Sequence, residues 1–250
     1  MRTIISFLIC FFYLAKLSAQ TNNDILKISH LKGDFYIFET YNYYKGSRIG
    51  ANAMYLVTDS GVVMFDTPWD STQFQPLLDS IKAKHNKNVV LCFSTHFHED
   101  RTGGLEYYRQ KNIKTYTTFF TDSMSKMKGM KRAEFFIKKD TVFTVANYSF
   151  QTIYPGKGHA PDNIVIWFEK EKILYGGCLI KSVDDKTLGN LSDASVTDYA
   201  ATIKNVQQKC KRPKYIITGH NDYKSKKSLK HTLKMAEKFK DRGTANIIGK

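Results

Sequence analysis

Apolar residues along the chain fall into two repeating patterns. Short runs rich in β-branched and aromatic residues, some alternating and some unbroken, occupy positions 34–41, 54–58, 61–66 and 88–94. Such runs read as strands with one or both faces buried. Runs at 141–145 and 148–154 flank Ala146-Asn147, a tight-hairpin signal, and 163–168, 172–175 and 214–218 complete the set. Between and after them a period near 3.6 takes over. Phe74, Leu77, Leu78 and Ile81 share one helical face behind Ser71 or Thr72 as the cap. Tyr199, Ile203 and Val206 mark a second helix over 197–209, and Leu229, Leu233, Ala236 and Phe239 a third over 225–242, both basic on the outside. Strands and helices mixed in this way, without internal linkers, predict a single α+β domain.

The first residues break the pattern. Met1-Arg2 gives a positive start, residues 3–15 an apolar run, and Leu17-Ser18-Ala19 a small-residue end, the layout of a cleaved signal peptide. Residues 1–19 are therefore read as a signal peptide and 20–250 as the mature domain, exported to the periplasm, with no second apolar run to span a membrane. At 42% hydrophobic the chain has material for a sizeable core, which excludes a disordered tether. It carries 38 Lys+Arg against 23 Asp+Glu, a net +15 that falls to +13 once Arg2 and Lys16 leave with the leader. That charge suits solubility, or attraction to anionic envelope components or anionic substrates. The lysines are dispersed along helix exteriors without a base-stacking motif, so no nucleic-acid partner is expected.

Export leaves Cys92, Cys178 and Cys210, an odd number in an oxidising compartment. Cys92 sits in an apolar strand as a buried thiol, while Cys210, in Lys209-Cys210-Lys211-Arg212, reads as exposed. A 92–210 disulfide and two free thiols both fit the sequence. Cys178 keeps different company. The run Ser94-Thr95-His96-Phe97-His98-Glu99-Asp100-Arg101 follows directly on a strand, and its alternate residues His96, His98 and Asp100 point the same way on extended backbone. His159 stands in a glycine-rich turn, Cys178 follows Gly176-Gly177, and His220 follows Thr218-Gly219, each just past a strand. His96, His98 and His159 form one nitrogen set, and Asp100, Cys178 and His220 a mixed one. Three protein donors with a fourth position open is the catalytic zinc pattern, and thiolate with imidazole selects zinc over magnesium or manganese. His30, His85 and His231 lie in polar or helical surroundings and read as surface residues.

In order and spacing these motifs resemble the class B metallo-β-lactamases, first subclass, over nearly the whole mature chain. The matching elements are His96-Phe97-His98-Glu99-Asp100-Arg101, Gly158-His159, the Gly-Gly-Cys-x-x-Lys-Ser pattern at 176–182, and Gly219-His220. The resemblance implies an αββα sandwich, two β-sheets face to face with helices outside, and a site in a groove at one edge. It implies two zinc ions per chain, the first held by His96, His98 and His159, the second by Asp100, Cys178 and His220. The implied reaction is hydrolysis of the β-lactam amide bond by a metal-activated hydroxide, giving resistance to penicillins, cephalosporins and carbapenems.

By the same likeness Asp100 also orients the nucleophile, Asn190 stabilises charge on the lactam carbonyl, and Lys181 pairs with the substrate carboxylate. The aromatic loop 41–47, with Tyr43 and Tyr44, matches a mobile flap over substrate, and Trp69 a position beside the groove. A monomer is implied. The chain departs from many relatives in Thr218-Gly219-His220-Asn221-Asp222, where they have Pro-Gly-His-Gly; the ligand is retained. The alternative within the superfamily is a thioester or lactone hydrolase. Those relatives commonly carry a histidine directly after the motif aspartate, where this chain has Arg101.

Overall fold

The computed structural model describes residues 25–248, and the segment read as a signal peptide lies outside them. Seven strands form the first sheet in sequence order: β1 (Leu26–Lys32), β2 (Phe35–Tyr44), β3 (Ser47–Thr58), β4 (Gly61–Phe65), β5 (Val89–Phe93), β6 (Lys114–Thr118) and β7 (Phe135–Ile137). Pairing is antiparallel through β4 and parallel from there to β7. The second sheet holds β8 (Thr141–Val145), β9 (Tyr148–Ile153), β10 (Val165–Phe168), β11 (Ile173–Gly177) and β12 (Tyr215–Thr218), with β11 and β12 parallel. Six helices accompany them: α1 (Phe74–His85), α2 (Glu99–Thr102), α3 (Leu105–Gln110), α4 (Phe119–Lys128), α5 (Val196–Lys209) and α6 (Ser228–Ile248).

Side-chain alternation explains the layering. On β2 and β4, Phe35, Ile37, Val63 and Phe65 face inward to meet Ile166, Phe168, Ile173 and Tyr175 of the other sheet in one buried cluster. Their neighbours Phe38, Val62 and Met64 face outward and are covered by Phe74, Leu77 and Ile81 of α1 and by Leu105 and Tyr108 of α3. On the far side, Val165, Trp167, Leu174 and Ile216 are covered by Tyr199, Ile203 and Val206 of α5 and by Leu229 and Ala236 of α6. The central strands of both sheets are thus dry on both faces, which is why β4 and β11 read as unbroken apolar runs. The result is the four-layer αββα sandwich.

Several elements differ from the sequence reading. Residues 41–47 are not a loop: β2 and β3 run out as a paired hairpin to a two-residue turn at Lys45 and Gly46, both with positive φ of 50° and 78°. Aromatic alternation in Tyr41, Tyr43 and Tyr44 was the strand signal, masked by their polar setting. The cap of the first helical turn is Asp70, whose carboxylate accepts from the Thr72 amide, and α1 proper begins at Phe74. Three strands (β1, β6, β7) and α2, α3 and α4 escaped the pattern, being short, amphipathic or polar-rich. Cys210 is buried against the α5 and α6 core rather than exposed, because Val206 and Ala236 pack there and only its lysine neighbours reach water. Cys92 lies in the opposite helical layer, so a 92–210 bridge does not form and Cys92, Cys178 and Cys210 are all free thiols. His85 is half-buried rather than a surface residue, bonded to the Tyr55 hydroxyl at 2.9 Å. His231 donates to the Asp185 carbonyl at 2.8 Å. Among the described residues no helix is long and apolar enough to cross a membrane.

Candidate metal centre and its groove

The strand ends place the donors. β5 stops at Phe93, and a buried turn carries His96 and His98 into α2, which presents Asp100 in its first turn. Parallel β11 and β12 deliver Cys178 and His220 at the same edge, and His159 arrives from the loop between β9 and β10. Glycine is needed where these loops touch: a Cβ on Gly219 would lie 2.6 to 2.8 Å from the backbone and sulfur of Cys178. Asn221 adopts the left-handed φ of 57° that follows the last ligand. That is a conformation asparagine tolerates.

Two donor sets result. His98 Nδ1 lies 3.1 Å from His96 Nε2 and 3.1 Å from His159 Nε2. Beside it, Cys178 Sγ lies 3.4 Å from Asp100 Oδ2 and 3.3 Å from His220 Nε2, and the last two atoms are 3.4 Å apart. Donor atoms arranged tetrahedrally at 2.0–2.1 Å around zinc stand about 3.3 Å from one another, so both triangles have the size that ion requires. The sets adjoin, since His96, Asp100 and Cys178 also bring donors within 4.8 Å of one another.

Electrostatics agree with that fit. Burial holds His96 and His159 well below the usual imidazole range, reinforced by His98 at the first and Lys181 at the second, so both present neutral nitrogen. Burial pushes Asp100 up, but the Arg101 guanidinium 2.8 Å away and His220 outweigh it and keep the carboxyl ionised. Burial pulls His220 down, yet Cys178 and Asp100 raise it to about 9. An ionised carboxylate, a sulfur and an imidazole gathered this closely suit a cation, and a bound metal would take the place of the imidazolium proton.

Other contacts orient the donors. His220 Nδ1 bonds to the Gly50 carbonyl at 2.8 Å and so turns Nε2 to the site. His98 Nε2 lies 3.2 Å from Asp193, whose second oxygen takes Lys128 of α4 at 3.0 Å. Arg101, with no exposed surface, bonds the Asn52 and Gly219 carbonyls at 2.7 and 3.0 Å while contacting Asp100 and Asp66. Asp66 in turn accepts from the Thr95 amide and the Tyr175 hydroxyl at 2.7 and 2.6 Å; burial still raises it to about 6. Asp66, Asp193 and Gln73 were not singled out from the sequence, since lone polar residues carry no spacing signal.

The donors floor a groove of about 400 Å³. Trp69, Tyr44, Lys181 and Asn190 line it, as do Ile49 and Asp185. Tyr43 does not line it; on the opposite face of β2 from Tyr44, it is 72% exposed. Trp69 bridges the hairpin and the metal donors, with ring centres 6.4 Å from Tyr44 and 6.2 Å from His220. Lys181 is buried, which lowers its ammonium, and its backbone amide is fixed on Thr232 of α6 at 2.8 Å. The Asn190 side-chain oxygen Oδ1 accepts from the Ser192 amide at 3.1 Å, leaving the side-chain nitrogen to donate.

Gln73 anchors the hairpin. β1 pairs with β2 only as far as Thr40, and the Gln73 amide continues the ladder, donating to the Tyr41 carbonyl at 2.6 Å and accepting from its amide at 3.2 Å. Gln73→Ala removes both bonds, each worth about 1 kcal/mol. Amide hydrogen exchange over 41–46 should then quicken about 30-fold while β5 is unchanged. Equal exchange in both proteins would show that Gln73 does not anchor the hairpin.

Comparison with known proteins gives the class. Residues 47–220 match the metallo-beta-lactamase superfamily, and the chain belongs to that family. It is 41% identical over 221 residues to the metallo-beta-lactamase type 2 of Elizabethkingia meningoseptica, covering 88% of this chain and 89% of that protein. With metallo-beta-lactamase IND-1 of Chryseobacterium indologenes it shares 36% identity over 95% of its own length and 100% of the relative's. The crystal structure of metallo-beta-lactamase IND-7 superposes with a TM-score of 0.82 at 38% identity, over 85% of this chain and 98% of that one. Like its family, the chain is a zinc-dependent hydrolase.

Proposed function

We propose that this chain is an exported di-zinc β-lactamase, hydrolysing the amide bond of penicillins, cephalosporins and carbapenems in the periplasm as a monomer. The observation that carries the reading is the adjoining three-histidine and Asp100-Cys178-His220 sets on the floor of a groove walled by Lys181. His96, His98 and His159 would hold one zinc and Asp100, Cys178 and His220 the other. When bound, zinc supplies Lewis-acid polarisation and brings the pKa of water to about 7. Relatives with this architecture are named metallo-beta-lactamases, and the leader-like first 19 residues support export.

The remaining chemistry belongs to side chains. Lys181 pairs with the substrate carboxylate inside a wall that excludes water, fixing the lactam over the floor. The Asn190 amide donates to the carbonyl oxygen as it gains negative charge. Asp100, kept ionised by Arg101, accepts a hydrogen bond from the attacking water and holds it in line. Tyr44 and Trp69 give the lactam an apolar wall.

Two measurements test this. A panel of a penicillin, a cephalosporin, a carbapenem, a thioester and a lactone should show turnover of the first three; turnover of the last two alone would overturn the assignment. Lys181→Ala should raise KM about tenfold with kcat nearly unchanged, because it removes a charged contact shared by ground and transition states. A loss confined to kcat would give Lys181 another role.

A further inference from the structure

Nine large apolar side chains are exposed among the described residues, and all but Tyr43 and Tyr44 fall between 119 and 154. They are not scattered. Phe119 and Phe120 open α4, 56% and 39% exposed, and Phe119 meets Phe136 of β7 with ring centres 6.5 Å apart. Phe120 meets Tyr154, past the end of β9, at 6.3 Å, while Phe135, on the opposite face of β7 from Phe136, stacks on Tyr116 at 5.0 Å and lies outside the patch. Met127, 68% exposed, extends the patch two turns along α4. Soluble monomers seldom gather exposed aromatic rings into one patch without a use for it.

The rim is basic. Lys138 and Lys139 follow β7 directly and Lys126 adjoins Met127; all three are exposed and engage no acidic partner among the described residues. Lys128 and Lys131 stand nearby, each in an exposed ion pair, with Asp193 and Glu106. Outward aromatic rings framed by unpaired lysines suit the interface of an anionic bilayer, where rings enter the headgroup boundary and ammonium groups meet phosphates. A peptide strand is a poorer occupant, because β7, the sheet edge here, offers only three residues to pair with.

We propose that the α4–β7 face binds peripherally to anionic lipid membranes, through Phe119, Phe120, Phe136 and Met127 with Lys126, Lys138 and Lys139. This gives the chain's net positive charge a local use and does not depend on the hydrolytic chemistry. The patch is separate from Lys181, Asn190, Tyr44 and Trp69, so the face could adsorb without altering those residues.

The test is sedimentation of the mature protein with phosphatidylglycerol/phosphatidylethanolamine vesicles and with pure phosphatidylcholine vesicles. Binding to the anionic vesicles is expected, weak on the neutral ones and declining with salt. The Phe119→Ser/Phe136→Ser variant should lose at least about tenfold in partitioning, and Lys138→Gln/Lys139→Gln about 25-fold, about fivefold per lysine. Near-ultraviolet circular dichroism should match wild type in both, showing that the fold is kept. No sedimentation with anionic vesicles, or undiminished binding by folded variants, would overturn the proposal. So would a dimer on gel filtration that the phenylalanine variant abolishes, since the patch would then be an interface between copies.

Discussion

Cys178→Ser should lower kcat/KM by at least about 100-fold and reduce the zinc bound per chain from two to one. The sulfur is the soft donor of the mixed set, 3.4 Å from Asp100 and 3.3 Å from His220. A serine hydroxyl at the same place is neutral and binds zinc poorly, whereas Asp100 and His220 alone leave a two-donor site. Loss of a partner that only orients a ligand costs 10–100-fold, so loss of the ligand itself should cost no less. The three-histidine set shares no donor with the mixed one and should keep its ion. Metal analysis with rates on one substrate decides it. Two zincs with wild-type rates would show that Cys178 is no ligand.

Arg101→Met should lower the unfolding midpoint by about 10 °C. The side chain has no exposed surface and joins Asp100, Asp66, the Asn52 carbonyl and the Gly219 carbonyl, thereby tying the first sheet to the loop that carries His220. Removing one partner of a buried ion pair costs about 3–5 kcal/mol, because the other charge stays buried. In a chain of this length each kcal/mol moves the midpoint by about 2–4 °C. Here two carboxylates are stranded. Arg101→Lys restores charge but not the planar fork that reaches four groups, so it should recover less than half the loss. A midpoint within 2 °C of wild type for Arg101→Met would contradict this account of the buried network.

Much of the site was legible because its chemistry is local in sequence. His96, His98 and Asp100 stand at alternate positions just past a strand, and Cys178 and His220 each directly follow another, so spacing and strand ends point to five donors. His159 was placed by its glycine-rich turn. What sequence hid depends on contacts across the chain. Arg101 looks like any arginine after an acidic residue, yet its partner Asn52 lies 49 residues away. Asp193 is 95 residues from the His98 it orients, and Gln73 is 32 from the Tyr41 it clamps. Cys210 was misplaced because charged neighbours describe the surface beside a residue, not the direction its own side chain takes on the last turn of a helix. Strand β6 was missed for the opposite reason: Lys114 and its threonines read as polar, although Thr115 and Thr117 are buried within the sheet.

The most direct test of the central claim is hydrolysis of a chromogenic cephalosporin by the purified mature protein before chelation, after chelation, and during stepwise return of zinc. The account predicts that chelation abolishes turnover, that zinc restores it, and that recovery is complete at two ions per chain. Turnover that survives chelation in protein shown to be metal-free, or a zinc-loaded, folded protein that leaves the lactam intact, would contradict it.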